Sequence, residues 1–224
     1  MPLVRCVSVV LLACVLAVGT ANAQDPEKKK SGWDVWIDFH LGANFLDGSK
    51  GFTDYMHKHQ PALDYRGTYL DAIEGGVGAG VEYGMFTLGM YVDKADGNSG
   101  VSVKNQLVKK EDINFHLDLG YRIPLGNLFT LEPTAGFGVG FSDMFLATSR
   151  GGADYVGSFT TANLIVPLTL NLTKNSCNGD AGIYLQYIIG AGQLGTTRIT
   201  GLDTEVADLH FQPSTLTFGA KYRF

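Results

Sequence analysis

From residue 33 onward, apolar and polar side chains alternate with a period of two, in segment after segment. In the first, Trp33, Val35, Ile37, Phe39, Leu41, Ala43 and Phe45 share one face, and Asp34, Trp36, Asp38, His40, Gly42 and Asn44 share the other. Alternation over that length predicts a β-strand with two chemically different faces. The pattern returns at about 74–83, with Val77, Ala79, Val81 and Tyr83 opposite Gly76, Gly78, Gly80 and Glu82. It returns again at 86–92, 112–122, 129–141, 159–172 and 181–191, and in a last segment ending at Phe224. The segment at 159–172 is less regular, because Ile165 and Pro167 fall on the otherwise polar parity. A proline inside a strand removes a ladder donor, so Pro133 and Pro167 are expected at local bulges or strand ends.

The connections between these eight segments alternate long and short. The long ones are about 46–73, 93–111, 142–158 and 192–209, and the short ones are 84–85, 123–128 and 173–180. An even number of short two-faced strands with this alternation predicts an all-β fold, an eight-stranded antiparallel up-and-down barrel that crosses a membrane. A soluble barrel would turn its apolar face inward. Here that would crowd Trp33, Ile37, Phe39, Phe129, Phe137 and Phe141 into a narrow interior and leave Gly136, Gly138 and Gly140 facing water. Aromatic residues also gather at the expected strand ends. Trp33, Tyr83, Phe86, Tyr121, Phe129, Tyr222 and Phe224 lie at the short-turn end, with Phe45, Phe141, Phe159 and Phe211 toward the other rim. Two aromatic girdles around an aliphatic band mark the two membrane interfaces. The short-turn side, with both termini, is then periplasmic.

The N-terminus reads differently. Arg5, the apolar run Val7–Val18 and the small-x-small sequence Ala21-Asn22-Ala23 predict a signal peptide over 1–23. The run is too short to span a bilayer comfortably. Leu11-Leu12-Ala13-Cys14 offers a competing lipoprotein-type cleavage box that would leave the downstream site unused. Residues 24–32 form a charged periplasmic leader, and the barrel occupies 33–224. Of 3 cysteines, Cys6 and Cys14 leave with the signal, so Cys177 has no internal partner. The formal charge of −5 becomes −6 once Arg5 is removed, which gives no electrostatic reason to bind nucleic acid. The partners expected are instead outer-membrane lipid and, as a monomer, no second copy of the chain.

The last segment, ending Tyr222-Arg223-Phe224, resembles the terminal strand of outer-membrane barrels. The plan of 33–224 as a whole resembles the small eight-stranded outer-membrane proteins, of the OmpA transmembrane-domain, OmpX and OmpW types. That resemblance implies location in the cell outer membrane. It also implies that Phe218, Tyr222 and Phe224 form an assembly signal read by the barrel-assembly machinery. Lipid A deacylases of similar size place His and Ser two residues apart on the last strand. Here His210 and Ser214 are four apart with Pro213 between them, a departure that argues against an enzyme.

The inward face is where charge collects: Asp34, Asp38, His40, Glu82, His116, Asp118, Arg122, Glu132, Lys221 and Arg223. Closing the barrel brings the first and last strands together, and with them Asp34 and Asp38 toward Lys221 and Arg223. Buried charges need partners, so one reading is a salt-bridge network that plugs the lumen. The other is a narrow path for small or hydrophobic solutes, since many inward positions are glycine. His57-Lys58-His59 is a weak metal pattern without a nearby third ligand. No catalytic residue, metal ligand or cofactor is expected. The long loops, with Phe52, Tyr55, Tyr65 and Tyr69 in the first, suit contact with a host or matrix ligand.

Overall fold

A computed structural model describes residues 32–44, 58, 71–98, 106–148, 157–176, 179–194, 198–200 and 214–224. The expected signal peptide, Cys177, Phe45, Phe211, His57, His59 and His210 lie outside the described residues, as does the leader except for Gly32.

The strands, in chain order, are β1 (Trp33–Asn44), β2 (Asp71–Tyr83), β3 (Phe86–Asn98), β4 (Gln106–Tyr121), β5 (Ile123–Leu125), β6 (Phe129–Thr148), β7 (Gly157–Lys174), β8 (Asp180–Gln193), β9 (Arg198–Thr200) and β10 (Thr215–Arg223). Each long strand pairs antiparallel with its neighbours, in the order β6-β4-β3-β2-β1-β10-β8-β7, and the β6–β7 pairing closes the ring. The result is a closed eight-stranded barrel with β5 and β9 as short ribbons at its ends.

The two faces of this barrel are inverted relative to a soluble protein. Val35 is 78% exposed, Trp33 70% and Phe137 68%, among a band that includes Met90, Leu117, Leu168 and Leu185. Inside lie Asp38, Glu74, Asp93, His116, Glu132, Asn163 and Arg223, all buried. An exterior band of aliphatic residues around a polar interior is the arrangement that a lipid solvent selects. At the short-turn rim, Trp33 packs at a tilt against Tyr83 at 5.1 Å and Phe86 meets Tyr121 at 5.1 Å. Phe224 packs edge-on against Phe39 at 5.9 Å. The other rim is thinner than its sequence suggests. Phe141 is exposed, but Phe159 is buried, because it shares the inward parity of Thr161, Asn163 and Ile165 on β7.

Most strands run further toward the long loops than the apolar alternation indicates. β3 continues through Asp93-Lys94-Ala95-Asp96 to Asn98, and β4 begins at Gln106, not near residue 112. The ladder continues where the chain leaves the apolar band, because pairing in water needs no apolar face. Both strand prolines sit at gaps in the ladder. The β4–β6 pairing stops at Gly120↔Thr134 and resumes as β5–β6 at Ile123↔Leu131, so Pro133 faces the interruption. The β6–β7 pairing skips from Ala135↔Leu168 to Gly138↔Ile165, across Pro167, with a register shift nearby at Leu164/Ile165. In each case the missing donor falls where no bond is drawn. The tight β2–β3 turn has Gly84 at φ 64, a left-handed conformation that favours glycine.

The inverted faces make a direct prediction. Replacing Phe137, midway along the exterior of β6, with Arg destabilises the barrel in lipid vesicles by about 2–4 kcal/mol, whereas Phe137→Leu changes it little. Denaturant unfolding of the vesicle-inserted protein measures this, and an equal effect of both changes contradicts a lipid-facing band.

Candidate functional site

The barrel seam sets the site. In the β1–β10 pairing, Asp38 lies opposite Arg223 and His40 opposite Lys221, all pointing inward. The Lys221 Nζ is 3.0 Å from Asp38 Oδ2, and Arg223 lies 3.8 Å from the same oxygen. Arg223 also reaches across the lumen to β6, with Nη1 3.0 Å from Glu132 Oε2. The Thr87 hydroxyl on β3 donates to the other Glu132 oxygen at 2.7 Å. Tyr91 donates to Asp38 at 3.2 Å, and the Arg223 guanidinium lies 4.3 Å from the centre of the Trp36 ring.

A second chain of contacts runs around the wall. The two ring nitrogens of His116 lie 2.6 Å from Asp118 Oδ1 and 2.7 Å from Asp93 Oδ2. The other Asp93 oxygen is 3.0 Å from His40 Nε2, and His40 Nδ1 faces Asp38 at 3.7 Å. Acid and imidazole thus alternate from β4 through β3 to β1. Nearer the short-turn end, Arg122 bridges Glu82 at 2.6 Å and Asp180 at 2.5 Å. Arg122 sits just beyond β4, where burial alone would lower its pKa; the two carboxylates outweigh this and raise it.

Of the sequence-derived set, the structure joins Asp38, His40, His116, Asp118, Glu132, Lys221 and Arg223 in one buried cluster, with Arg122 and Glu82 in a smaller half-buried one. Asp34 departs from the expectation: it is exposed at the open end of β1, a full turn of the pleat below Asp38. Phe218, Tyr222 and Phe224 are on the outward side of β10, where Phe218 is exposed. Glu74, Tyr91, Asp93, Lys110, Asp112 and Asp180 join these networks beyond the sequence-derived set. The apolar alternation places Asp93 in a connection, although continuing the inward parity of Thr87, Gly89 and Tyr91 by one step reaches it. Glu74 follows from Gly76 and Gly78 in the same way.

Inward glycines do not leave the lumen empty. A Cβ at Gly78 would meet the Tyr91 ring, and one at Gly80 or Gly89 would meet the Trp36 indole. Trp36 and Tyr91, both buried, lie over these bare backbone patches, and the buried Tyr184 lies over Gly42 and Gly219 in the same way. Among the described residues, His40, Tyr91, Asp118, Tyr184 and Lys221 border a small internal cavity.

No protein-family model matches the chain, and neither does any curated protein. Solved structures do resemble it. Neisserial surface protein A aligns with a TM-score of 0.50 at 10% identity, over 86% of this chain and 97% of that one. The fold is that of the small outer-membrane β-barrels. Ail, the attachment invasion locus protein of Yersinia pestis, aligns at 0.45 and 12% identity, over 87% of this chain and 100% of its own. The outer membrane protein OprG from Pseudomonas aeruginosa aligns at 0.42 and 15%, over 89% and 99%.

The two aspartates of β1 should separate sharply. Asp38→Ala leaves Lys221 buried without its carboxylate and costs about 3–5 kcal/mol of unfolding free energy. Asp34→Ala stays within about 0.5 kcal/mol of wild type. Urea titration of the refolded barrel followed by tryptophan fluorescence reads both, and similar losses would refute the placement of Asp38 at the network's centre.

Proposed function

We propose that the protein is a structural outer-membrane barrel whose lumen is closed by its buried charge network, with no open solute path. The observation that carries this reading is the bridge across the interior: Arg223 on β10 joins Asp38 on β1 to Glu132 on β6, with Trp36 packed against the guanidinium. An eight-stranded barrel has an interior that side chains just fill, and here charged and aromatic groups occupy it. A narrow channel for small or hydrophobic solutes needs a continuous route, and the internal cavity is small and walled by the same residues. Purified, refolded protein in planar bilayers should give no steady single-channel steps at neutral pH. Reproducible conductance steps from the wild-type chain would replace the closed-barrel reading with the channel one.

A second reading rests on the asymmetry of the barrel's ends. One end carries the two-residue turn between β2 and β3 and the three-residue turn 126–128, and the other joins β1 to β2 through residues 45–70. Such an end suits surface contact with a host or matrix ligand. Deleting residues 46–69 should leave the heat-modifiable gel migration of the barrel intact and abolish binding of expressing cells to immobilised matrix proteins. Unchanged binding would set this second role aside.

A further inference from the structure

Among the described residues, Glu74 is the one buried carboxylate whose placement the charge network does not explain. It is 1% exposed, and among the described residues it makes no ion pair. Its Oε2 accepts a hydrogen bond from Thr217 at 2.8 Å, while its Oε1 is buried without any hydrogen-bond partner. Buried charges in proteins are paired with an opposite charge or bound to a metal, because isolation in a low-dielectric interior is costly.

The surroundings of Glu74 narrow the choice. His40, Gly76 and Asp93 lie at one level on three adjacent strands, since His40 pairs with Gly76 and Gly76 with Asp93. Glu74 stands two residues along β2 from Gly76, on the same inward face. One ligand atom from each of His40, Glu74 and Asp93 lies within 4.8 Å of the others. His40 Nε2 and Asp93 Oδ1 are 3.0 Å apart, yet neither makes a hydrogen bond in this arrangement. Two donors each bound at a right angle to one ion, at the usual first-row distance, stand about 3.0 Å apart. Gly76 makes the meeting point possible, because a Cβ there would strike both His40 Nε2 and Asp93 Oδ1.

We propose that His40, Glu74 and Asp93 form a binding site for a divalent first-row transition ion, of the zinc or manganese class, inside the barrel. One imidazole nitrogen with two carboxylates is a mixed donor set that suits such ions, and two carboxylate charges neutralise a divalent one. The groups behind the ligands fit the same role. Asp93 presents its second oxygen to His116, which is itself held by Asp118, and Thr217 fixes the second oxygen of Glu74. Such outer contacts orient metal ligands and tune their affinity. His40 also lines the internal cavity, so the site borders space inside the barrel and not the lipid-facing wall.

The test uses the full mature chain, refolded in detergent, stripped with a chelator and dialysed against zinc chloride or manganese chloride. Mass spectrometry of the metal content should give close to one ion per chain, and zinc should raise the thermal unfolding temperature. Glu74→Gln keeps the shape of the side chain but removes its charge, and should weaken binding by more than about tenfold and abolish the thermal shift. His40→Gln carries the same expectation should the first variant fail to fold. A His57→Ala/His59→Ala variant should bind as wild type does. The proposal is overturned if the stripped wild-type barrel takes up no ion, if Glu74→Gln binds equally well, or if the His57→Ala/His59→Ala variant loses the ion.

Discussion

The constraint on which the structure depends is closure. In lipid no water is available to satisfy a backbone N–H or C=O, so a sheet can cross the membrane only if its two edges meet. Here they meet between β1 and β10, down to the bond from the Phe224 N–H to the Ile37 carbonyl at 2.8 Å. The same seam sets the electrostatics. Once the first and last strands are in register, Asp38 faces Arg223 and His40 faces Lys221, so residues nearly the whole chain apart become immediate neighbours. Forming the wall and neutralising the interior are one event, and a slip of a single residue at the seam would turn one strand's pair of these charges outward into lipid and leave the other pair without partners.

The interior that closure creates is polar, and most of its buried charges meet an opposite charge. A buried ion pair is not by itself a source of stability, because the cost of desolvation offsets much of its attraction. Its contribution is specificity: few alternative registers would give Asp38 two cations and Glu132 one cation and a hydroxyl. The network ties β1, β3, β4, β6 and β10 to one another across the lumen, which neighbouring-strand hydrogen bonds cannot do.

Much of this was legible in the alternation alone, and what was not has identifiable physical causes. Period-two patterning located every long strand and assigned faces to Ile165 and Pro167, which are buried on the inward parity that the sequence gives them. It under-measured strands that extend beyond the lipid, because Asp93 to Asn98 has no apolar face to display while its ladder persists. For the same reason the alternation does not reveal Asp93, which contacts His40 and His116. At Asp34 the inward parity holds, but the residue lies beyond the stretch of β1 that the barrel buries. The composition of the interior suggested emptiness, because a glycine in a sequence shows no sign of the ring that covers it from the next strand.

That last feature has a consequence for the barrel's bore. Strand number sets the greatest width a barrel of this kind can have, but Trp36, Tyr91 and Tyr184 occupy much of it, each lying over a floor of bare backbone. The bore is therefore adjustable without altering a single hydrogen bond of the wall. Shortening a ring widens it, whereas added bulk at the glycines beneath would strike the ring and, at Gly80 and Gly219, the neighbouring backbone as well. Inside, size is held in matched large and small partners on facing strands, while the lipid-facing side is free to trade one aliphatic residue for another.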